Sequence, residues 1–248
     1  MNVASFLAKA AQRFPDHTAL QYNDEKTSYQ EFYRRALALG GALRALGLDK
    51  GDRVAFAMLN RPEILETIYG CFAAGLVVVP MNARLHPREM AYIVGQSGAK
   101  VLIHGPEFED PLDEHWDQFG GVAHRIGVGC SERLTPYASL LTDEHSLAEP
   151  VDAEPTDPCW LFYTSGTTGF PKGATWTHRT VRVVVMNYLA DVYNIHEDDV
   201  VIHCAPLSHG SGIVALPAVA RAATNVIMGT PSFDPAALFA EIERLRVT

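Results

Sequence analysis

The chain has 248 residues, of which 48% are hydrophobic and 20% charged, and this is enough apolar material for one large core or two smaller ones. The formal net charge of −9 argues against a nucleic-acid-binding protein, because such proteins present a basic face to phosphates. The four cysteines lie far apart without Cys-x-x-Cys spacing, which predicts neither a zinc site nor a disulfide framework.

The N-terminal sequence, MNVASFLAKAAQRFP, lacks the basic start, apolar block and small-residue cleavage site of a secretory signal. The longest apolar stretch, residues 69–81, is interrupted by Gly70, Gly75 and Pro80 and is shorter than the roughly 20 residues of a spanning helix. We therefore expect a cytoplasmic protein without a transmembrane segment. Peripheral membrane contact and a homodimer both stay open.

The first long helix is predicted from its two ends. Ser28 with Glu31 has the spacing of a capping box, and apolar residues at helical spacing follow until Gly47 closes the helix. The adjacent Arg34 and Arg35 within it are most simply a solvated helix face. A helix is therefore expected from about residue 28 to residue 46.

Helix and strand signals then alternate along the chain. Residues 53–59 predict a strand, and Pro62 suits the first turn of the next helix. The apolar run 76–79 predicts a strand buried on both faces. Pro87 starts another helix, which precedes a strand at 100–104. This rhythm is typical of an α/β fold with a parallel-rich sheet flanked by crossover helices.

Residues 105–158 are less regular, with acidic clusters and the proline-rich string EPVDAEPTDP at their end. We place a junction between two α/β subdomains there. The prediction is one subdomain at 1–150 and a second at 151–248, which carries the loop described next.

The segment 163–173 reads YTSGTTGFPKG and is rich in small residues. Its glycines allow main-chain N–H groups to approach an anion closely. Its hydroxyl groups can donate hydrogen bonds to phosphate oxygens, and Lys172 adds a cation. The segment therefore predicts a loop that binds the phosphates of a nucleotide, although a flexible surface turn is the alternative.

Two familiar phosphate-binding motifs do not match this loop. A Walker loop requires Ser or Thr directly after its lysine, whereas Gly173 follows Lys172. A dinucleotide fingerprint requires GxGxxG at the start of a helix, and neither is present here. Apolar residues 159–163 lead into the loop and residues 173–177 lead out of it, so we expect the loop to join two strands.

Helix and strand signals continue after the loop. The predicted elements are a helix at 177–191, a strand at 200–204, a helix at 212–223, a strand at 225–228 and a helix from residue 234. His203 beside Cys204 indicates strand packing rather than a metal pair. His209 follows the strand in the string APLSHGSG, where an ordinary helix-capping histidine is one interpretation.

Three strings occur in the order and form typical of one protein family. Residues 163–173 meet every position of its Tyr-Thr-Ser-Gly-Thr-Thr-Gly-x-Pro-Lys-Gly pattern. Residues 70–85, GCFAAGLVVVPMNARL, resemble its helix, glycine and strand ending in Val-Pro-x-Asn, and residues 205–212 resemble its Pro-Leu-x-His-x-x-Gly motif. The chain resembles the adenylate-forming superfamily of acyl-CoA synthetases, aryl-CoA ligases, luciferases and peptide-synthetase adenylation domains.

This resemblance implies an AMP-forming acid–thiol ligase that uses ATP, Mg²⁺ and coenzyme A on a small-molecule carboxylic acid, fatty or aryl. The carboxylate attacks the α-phosphate of ATP, and a thiol then displaces AMP from the acyl-adenylate. The fold implied is part of the large N-terminal α/β domain of such an enzyme.

The resemblance also assigns site residues. Those implied to bind the phosphates are Thr164, Ser165, Gly166, Thr167, Thr168, Gly169 and Lys172. Thr164 would in addition lie near Mg²⁺, and Lys172 and His209 would be catalytic, with His209 where nucleotide and acyl group meet. The candidates for lining the acyl pocket are Val184, Met186, Tyr188, Val214 and Leu216, although plain core packing is the alternative for each.

Members of this family are usually much longer than this chain. The later Tyr-Gly-x-Thr-Glu segment, a ribose-binding Asp and the C-terminal domain with its catalytic lysine have no counterpart here. We therefore expect an N-terminal fragment that is inactive alone. An amino-acid-activating adenylation domain and a noncatalytic nucleotide-binding module are the alternatives that stay open.

Overall fold

The structure, a computed structural model, describes residues 1–164, 171–230 and 233–248. The strands of these residues are β1 (Thr18–Tyr22), β2 (Glu25–Ser28), β3 (Arg53–Ala57), β4 (Val77–Pro80), β5 (Ala99–His104), β6 (His124–Gly127), β7 (Thr135–Pro136), β8 (Pro158–Thr164), β9 (Lys172–Thr177), β10 (Val200–His203) and β11 (Thr224–Ile227). The α-helices are α1 (Ser5–Arg13), α2 (Tyr29–Ala45), α3 (Pro62–Ala73), α4 (Pro87–Ser97), α5 (Glu109–Asp113), α6 (His178–Asn187), α7 (Gly210–Ala220) and α8 (Pro235–Leu245). None of them is long and apolar enough to cross a lipid bilayer.

The larger sheet has seven strands in the order β7-β6-β5-β3-β4-β8-β9. Its pairs are parallel except for β8 and β9, which form an antiparallel hairpin. Every residue of β4 is buried, as the apolar run at 76–79 predicts for a strand covered on both faces. The predicted α/β fold with parallel-rich sheets and flanking helices is confirmed.

The smaller sheet has four strands in the order β10-β11-β1-β2, with β1 parallel to β11 and antiparallel to β2. It therefore joins two strands from the start of the chain to two from the end. In the larger sheet β8 likewise pairs with β4, a strand from before residue 150. Neither sheet is confined to 1–150 or 151–248, and that division stays a prediction about subdomains.

Helix starts lie close to the predicted positions, but the capping box at Ser28 is only half formed. The Ser28 side chain accepts a hydrogen bond from the Glu31 N–H at 3.2 Å, whereas the Glu31 carboxylate pairs with Arg34 instead of turning back to the helix start. The complete capping box of the described chain opens α4, where His86 and Glu89 bond each other reciprocally.

A chain of aromatic rings connects the helices to the strand that leads into the loop. Phe32 of α2 contacts Tyr69 of α3 with ring centroids 5.5 Å apart, and Tyr69 contacts Phe72 at 5.7 Å. Phe72 lies 6.1 Å from Trp160 of β8. All four side chains are fully buried, so β8 is anchored in the main core.

One of the two adjacent arginines of α2 does not lie on a solvated face, so that part of the prediction is wrong. Arg35 donates to the Glu66 carboxylate at 2.7 Å and 3.1 Å, and Glu66 on α3 is only 1% exposed. Tyr137 also donates to this carboxylate, at 3.1 Å. A helical step of one residue turns the side chain by about 100°, which directs Arg35 to α3 while Arg34 stays near the surface.

Candidate functional site

The predicted phosphate-binding loop connects β8 to β9. The two strands are antiparallel, and their last described residues, Thr164 and Lys172, are cross-strand partners. The prediction that the loop joins two strands is therefore confirmed. The predicted loop residues Ser165, Gly166, Thr167, Thr168 and Gly169 lie outside the described residues.

The base of this hairpin is shaped by one ring and one glycine. Tyr163 is 7% exposed and donates its hydroxyl to the Gln96 side-chain oxygen. Burial raises the pKa of this phenol above its ordinary value. Opposite it, a Cβ on Gly173 would lie 2.9 Å from Tyr163 Cζ, closer than packed atoms approach. Gly173 thus makes room for the ring, a spatial requirement that the sequence alone does not reveal.

A cavity of about 310 Å³ lies beside the hairpin, at the carboxyl ends of β4 and β8. In parallel α/β sheets this edge is where ligands bind. Its described lining is Pro80, Met81, Asn82, Leu85, Glu89, Ile93, Tyr163, Thr164, Pro171 and His209. The structure therefore brings two predicted site residues, Thr164 and His209, to one cavity although they are far apart in the chain.

Lys172 is exposed at the start of β9, directly across the hairpin from Thr164. It forms no salt bridge with any carboxylate of the described residues. A cation in this state remains available to a phosphate, and it supplies the local positive charge that an acidic chain needs at an anion site.

His209 is half-buried at the N-terminal end of α7. Its carbonyl accepts from the Gly212 N–H at 3.0 Å, and its Nδ1 lies 3.0 Å from the Ser208 carbonyl. Because a carbonyl only accepts, Nδ1 carries the hydrogen in this contact, which leaves Nε2 as the ring's other polar atom. The ring also contacts Phe162 of β8, with centroids 5.6 Å apart.

The neighbouring histidine has a structural role. His203 is buried, with Nε2 3.0 Å from Asn225 Oδ1 and Nδ1 2.9 Å from Ser211 Oγ. Asn225 uses its amide hydrogens on backbone carbonyls such as that of Ala19, so His203 donates to Oδ1 through Nε2 and accepts from Ser211. Burial lowers the pKa of His203 to about 4, which keeps it neutral. The predicted packing of His203 is confirmed.

A second cavity, of about 360 Å³, adjoins the first at Asn82. It lies beyond the carboxyl ends of β3, β10 and β11. Its described lining is Met58, Leu59, Asn60, Asn82, Ala83, Arg84, Cys204, Ala205, Pro206, Thr230 and Phe233. The two cavities share the lining residue Asn82 and lie along the edges of both sheets, and we refer to them together as the cleft.

The residues predicted to line an acyl pocket do not line this cleft. The described walls of the two cavities include none of Val184, Met186, Tyr188, Val214 and Leu216. Leu216 is fully buried in the core, whereas Met186 is 54% exposed on α6. The sequence analysis assigned no role in a site to Asn60 or Asn82, although each lies within three residues of the end of a buried parallel strand, which is the signal that points to them.

The described residues contain no cluster of three or more His, Cys, Asp or Glu side chains that could hold a metal ion. Mg²⁺ at nucleotide sites is typically held by substrate phosphates, waters and one or two protein oxygens. The exposed hydroxyl of Thr164 at the cavity offers one such oxygen. Its assignment to Mg²⁺ stays a prediction.

Comparison with known proteins agrees with this geometry. Feruloyl-CoA synthase of an Amycolatopsis species is 34% identical over 248 residues, which cover 99% of this chain and 47% of that protein. Long-chain-fatty-acid–CoA ligase of Thermus thermophilus is 32% identical over 248 residues, with 96% of this chain and 45% of that protein covered. The chain thus spans slightly less than half the length of these relatives.

Solved structures show the same fold. The inhibitor-bound N-terminal domain of FACL13 from Mycobacterium tuberculosis has a TM-score of 0.88 at 29% identity, and the match covers 99% of this chain and 61% of that one. The profile of the family described as AMP-binding enzyme matches residues 7–248. Since this match includes nearly the whole sequence, and the hairpin, Thr164 and His209 meet at one cavity, the chain belongs to the AMP-binding enzyme family.

Proposed function

We propose that this chain is part of an ATP-dependent acid–thiol ligase, which adenylates a fatty or aryl carboxylic acid and transfers the acyl group to coenzyme A. The observation that carries the proposal is the convergence of Thr164 and His209 on one cavity, with Lys172 opposite Thr164 at the mouth of the hairpin. The similarity to feruloyl-CoA and long-chain-fatty-acid ligases supports the choice of acid.

In the first step a carboxylate oxygen bonds to the α-phosphorus of ATP, and the bond from that phosphorus to the bridging oxygen of pyrophosphate breaks. The nucleophile belongs to the substrate, so the protein has to position the reactants and stabilise negative charge. Lys172 would compensate negative charge on the leaving pyrophosphate. The Thr164 hydroxyl would donate a hydrogen bond to a phosphate oxygen or coordinate Mg²⁺. Mg²⁺, when bound with ATP, supplies further charge neutralisation on the phosphates.

In the second step the thiol loses its proton to water, its sulfur bonds to the acyl carbon, and AMP leaves with the electrons of the acyl–oxygen bond. In this proposal His209 acts at the boundary between the two groups, which is supported by its contact with Phe162 of the hairpin and its position in the lining of the same cavity as Thr164. Its role in this proposal is to orient the acyl-phosphate region through Nε2, because Nδ1 is bonded to Ser208.

The alternative substrate, an amino acid, would need an acidic partner for its amine. Glu89 is the acidic residue in the described lining of the cleft, and one of its oxygens already accepts from the His86 N–H at 2.8 Å. The apolar residues Met81, Leu85 and Ile93 beside it favour an apolar acid.

The proposal is tested by carboxylate-dependent exchange of labelled pyrophosphate into ATP, with a panel of fatty, aryl and amino acids. Exchange with a fatty or aryl acid supports the proposal, and exchange with amino acids alone contradicts it. The expectation that this chain is inactive by itself is decided in the same assay, by comparing it with a longer version that has the length of its relatives.

A binding measurement separates catalysis from nucleotide recognition. Lys172→Ala is expected to weaken MgATP binding by about tenfold or more, because a hydrogen bond to a charged group contributes roughly 1.5–3 kcal/mol. Lys26→Ala, at an exposed lysine on β2, is the matched control and should leave the affinity unchanged. Equal affinities in both variants would remove the phosphate-binding role from Lys172. MgATP binding without exchange in the longer version as well as in this chain would favour the noncatalytic nucleotide-binding module.

A further inference from the structure

Asn60 lies just after β3, next to the segment that leads into α7. Both the nitrogen and the oxygen of its side-chain amide form hydrogen bonds with that segment. Its Nδ2 donates to the Ala205 carbonyl at 2.9 Å, and its Oδ1 accepts from the Leu207 N–H at 2.8 Å. These two bonds connect the seven-stranded sheet to the segment that carries His209.

The contacted segment is held by core packing only in its second part, because the Leu207 side chain is fully buried. Residues 204–206 are exposed, so core packing does not hold them. Within the segment the His209 N–H donates to the Pro206 carbonyl at 3.0 Å. The backbone at His209 is therefore hydrogen-bonded to the residue that lies between the two residues contacted by Asn60. A shift of Ala205 and Leu207 would therefore move His209.

The far end of the segment is attached separately. Ser211, in the first turn of α7, is bonded to the buried His203 at the end of β10. His209 lies between this attachment and Asn60. The His203 bond holds the segment to the four-stranded sheet, whereas Asn60 alone among these contacts holds it to the seven-stranded sheet.

Asn60 is itself held in place by its neighbours. The Leu59 N–H donates to Glu107 Oε1 at 2.5 Å, and the Arg61 guanidinium lies 3.6 Å from the other oxygen of the same carboxylate. Because its backbone is fixed on both sides, the Asn60 amide has little freedom to lose when it bonds the segment.

We infer that Asn60 is a positioning residue for His209: its amide fixes the turn at Ala205 and Leu207 and so sets where the imidazole enters the cleft. The catalytic consequence rests on the proposed function of His209. The two hydrogen bonds from the Asn60 side chain to Ala205 and Leu207, called the clamp below, do not rest on that proposal. They can be measured in the absence of any ligand.

The test uses the 248-residue chain with Asn60→Ala and Asn60→Asp. The alanine removes both bonds, whereas aspartate keeps an acceptor for the Leu207 N–H and places an oxygen against the Ala205 carbonyl. Asn194→Ala is the control, because the described contacts of Asn194 do not include the clamped segment. The readouts are hydrogen exchange of the Leu207 amide, the ring resonances of His209 with their pH titration, and the unfolding midpoint.

Asn60→Ala is expected to expose the Leu207 amide to exchange and to shift the His209 resonances. Asn60→Asp should keep the Leu207 amide protected while still shifting His209. If His209 resonances in both folded variants match those of Asn194→Ala, the positioning role is excluded. Should Asn60→Ala not fold, Asn60→Asp decides alone.

The functional arm uses the benzoyl sulfamoyl-adenosine analogue of an acyl-adenylate. Its affinity should fall by about 5- to 10-fold in Asn60→Ala, as expected for a disturbed hydrogen bond. Unchanged analogue affinity together with shifted His209 resonances would leave the clamp standing and remove His209 from the ligand site. Weakened analogue binding with unshifted resonances would overturn the clamp.

Discussion

Tyr163 and Gly173 face each other across the β8–β9 hairpin, and the tyrosine ring fills the space that a side chain on Gly173 would need. A Cβ there would lie 2.9 Å from Cζ and 3.0 Å from Cε2 of the ring. The ring cannot easily turn away, because its hydroxyl is bonded to Gln96 and the residue is buried. The two strands that flank the phosphate-binding loop therefore depend on a glycine at this position.

Gly173→Ala is expected to splay the hairpin at its mouth and lower the free energy of unfolding by about 1–3 kcal/mol, the usual cost of overpacking. Thr164 and Lys172 are the next cross-strand pair, so MgATP affinity should fall as well. Gly120→Ala is the matched control, since a Cβ at Gly120 meets no atom within 4 Å. Thermal unfolding and calorimetric titration with MgATP measure both effects. Identical results for the two variants would contradict the packing argument.

Two glycines, Gly210 and Gly212, lie two residues apart at the start of α7. A Cβ on Gly212 would lie 2.0 Å from the Leu207 carbonyl oxygen, whereas one on Gly210 would meet nothing within 4 Å. The Leu207 atom belongs to the backbone, so it cannot be moved by a change of rotamer. Gly212 thus allows the first turn of the helix to pack on the segment that carries His209.

We expect Gly212→Ala to be destabilising by about 1–3 kcal/mol and to shift the His209 resonances, because the segment must move. Gly210→Ala should be neutral or slightly stabilising, since alanine forms helices better than glycine by about 0.8–1.0 kcal/mol. Chemical unfolding of the two variants and ring NMR of His209 give the comparison. Equal stability losses would show that the close approach of Gly212 to Leu207 does not limit the fold.

Arg34 and Arg35 offer a third comparison within one helix. Arg35 neutralises Glu66, which is 1% exposed and whose pKa is raised by burial. Arg34 pairs with Glu31 and Asp143, and all three of these side chains are substantially exposed. The same type of residue therefore pairs with a buried carboxylate at one position and with exposed carboxylates at the next.

Arg35→Ala leaves a buried carboxylate without its cation and is expected to cost about 3–5 kcal/mol at neutral pH. The loss should be smaller at acidic pH, because Glu66 can then take up a proton and become neutral. Arg34→Ala should cost less than about 1 kcal/mol. Urea unfolding of both variants at pH 7 and pH 5 tests this. A similar small loss for Arg35→Ala at pH 7 would refute the buried pair.

The sequence predicts local features of this fold well. Strand burial at residues 76–79, the helix starts at Pro62 and Pro87 and the start of the helix after the loop, near residue 177, depend on residues close in the chain, and the structure has each of them. The hairpin around the loop also follows from local pattern. The short range of capping, turn and period signals explains this success.

Contacts between distant segments are what the sequence leaves open. Asn60 bonds Leu207 across 147 positions, and no periodicity indicates such a pair. Arg34 and Arg35 are adjacent in the sequence, and nothing in the neighbouring residues indicates that only Arg35 pairs with a buried carboxylate. That pair depends on how α3, which carries Glu66, packs on α2. Leu216 follows the motif of His209 but turns into the core, because α7 presents its apolar side to the neighbouring elements.

Two buried histidines make stability depend on pH in a defined window. Burial lowers the pKa of both His203 and His178 from an ordinary value of 6.5 to about 4. Between these pH values the unfolded chain binds more protons than the folded chain, so protonation favours unfolding. Their stabilising contribution is fully present above pH 6.5 and is lost as pH falls towards 4.

The free energy of unfolding should therefore decrease by up to about 1.4 kcal/mol per pH unit for each of these histidines across that window. Replacing one of them, in His203→Gln, should remove part of this slope, because the glutamine does not titrate but can still donate to Asn225. His145→Gln is the control, since His145 is exposed and its replacement should leave the slope unchanged. Urea unfolding at intervals from pH 7.5 to pH 4.5 measures the slopes of all three proteins. If His203→Gln retains the full slope of the unmodified chain, proton uptake by His203 on unfolding does not contribute, and the buried bonds to Asn225 and Ser211 would have to tolerate a charged ring.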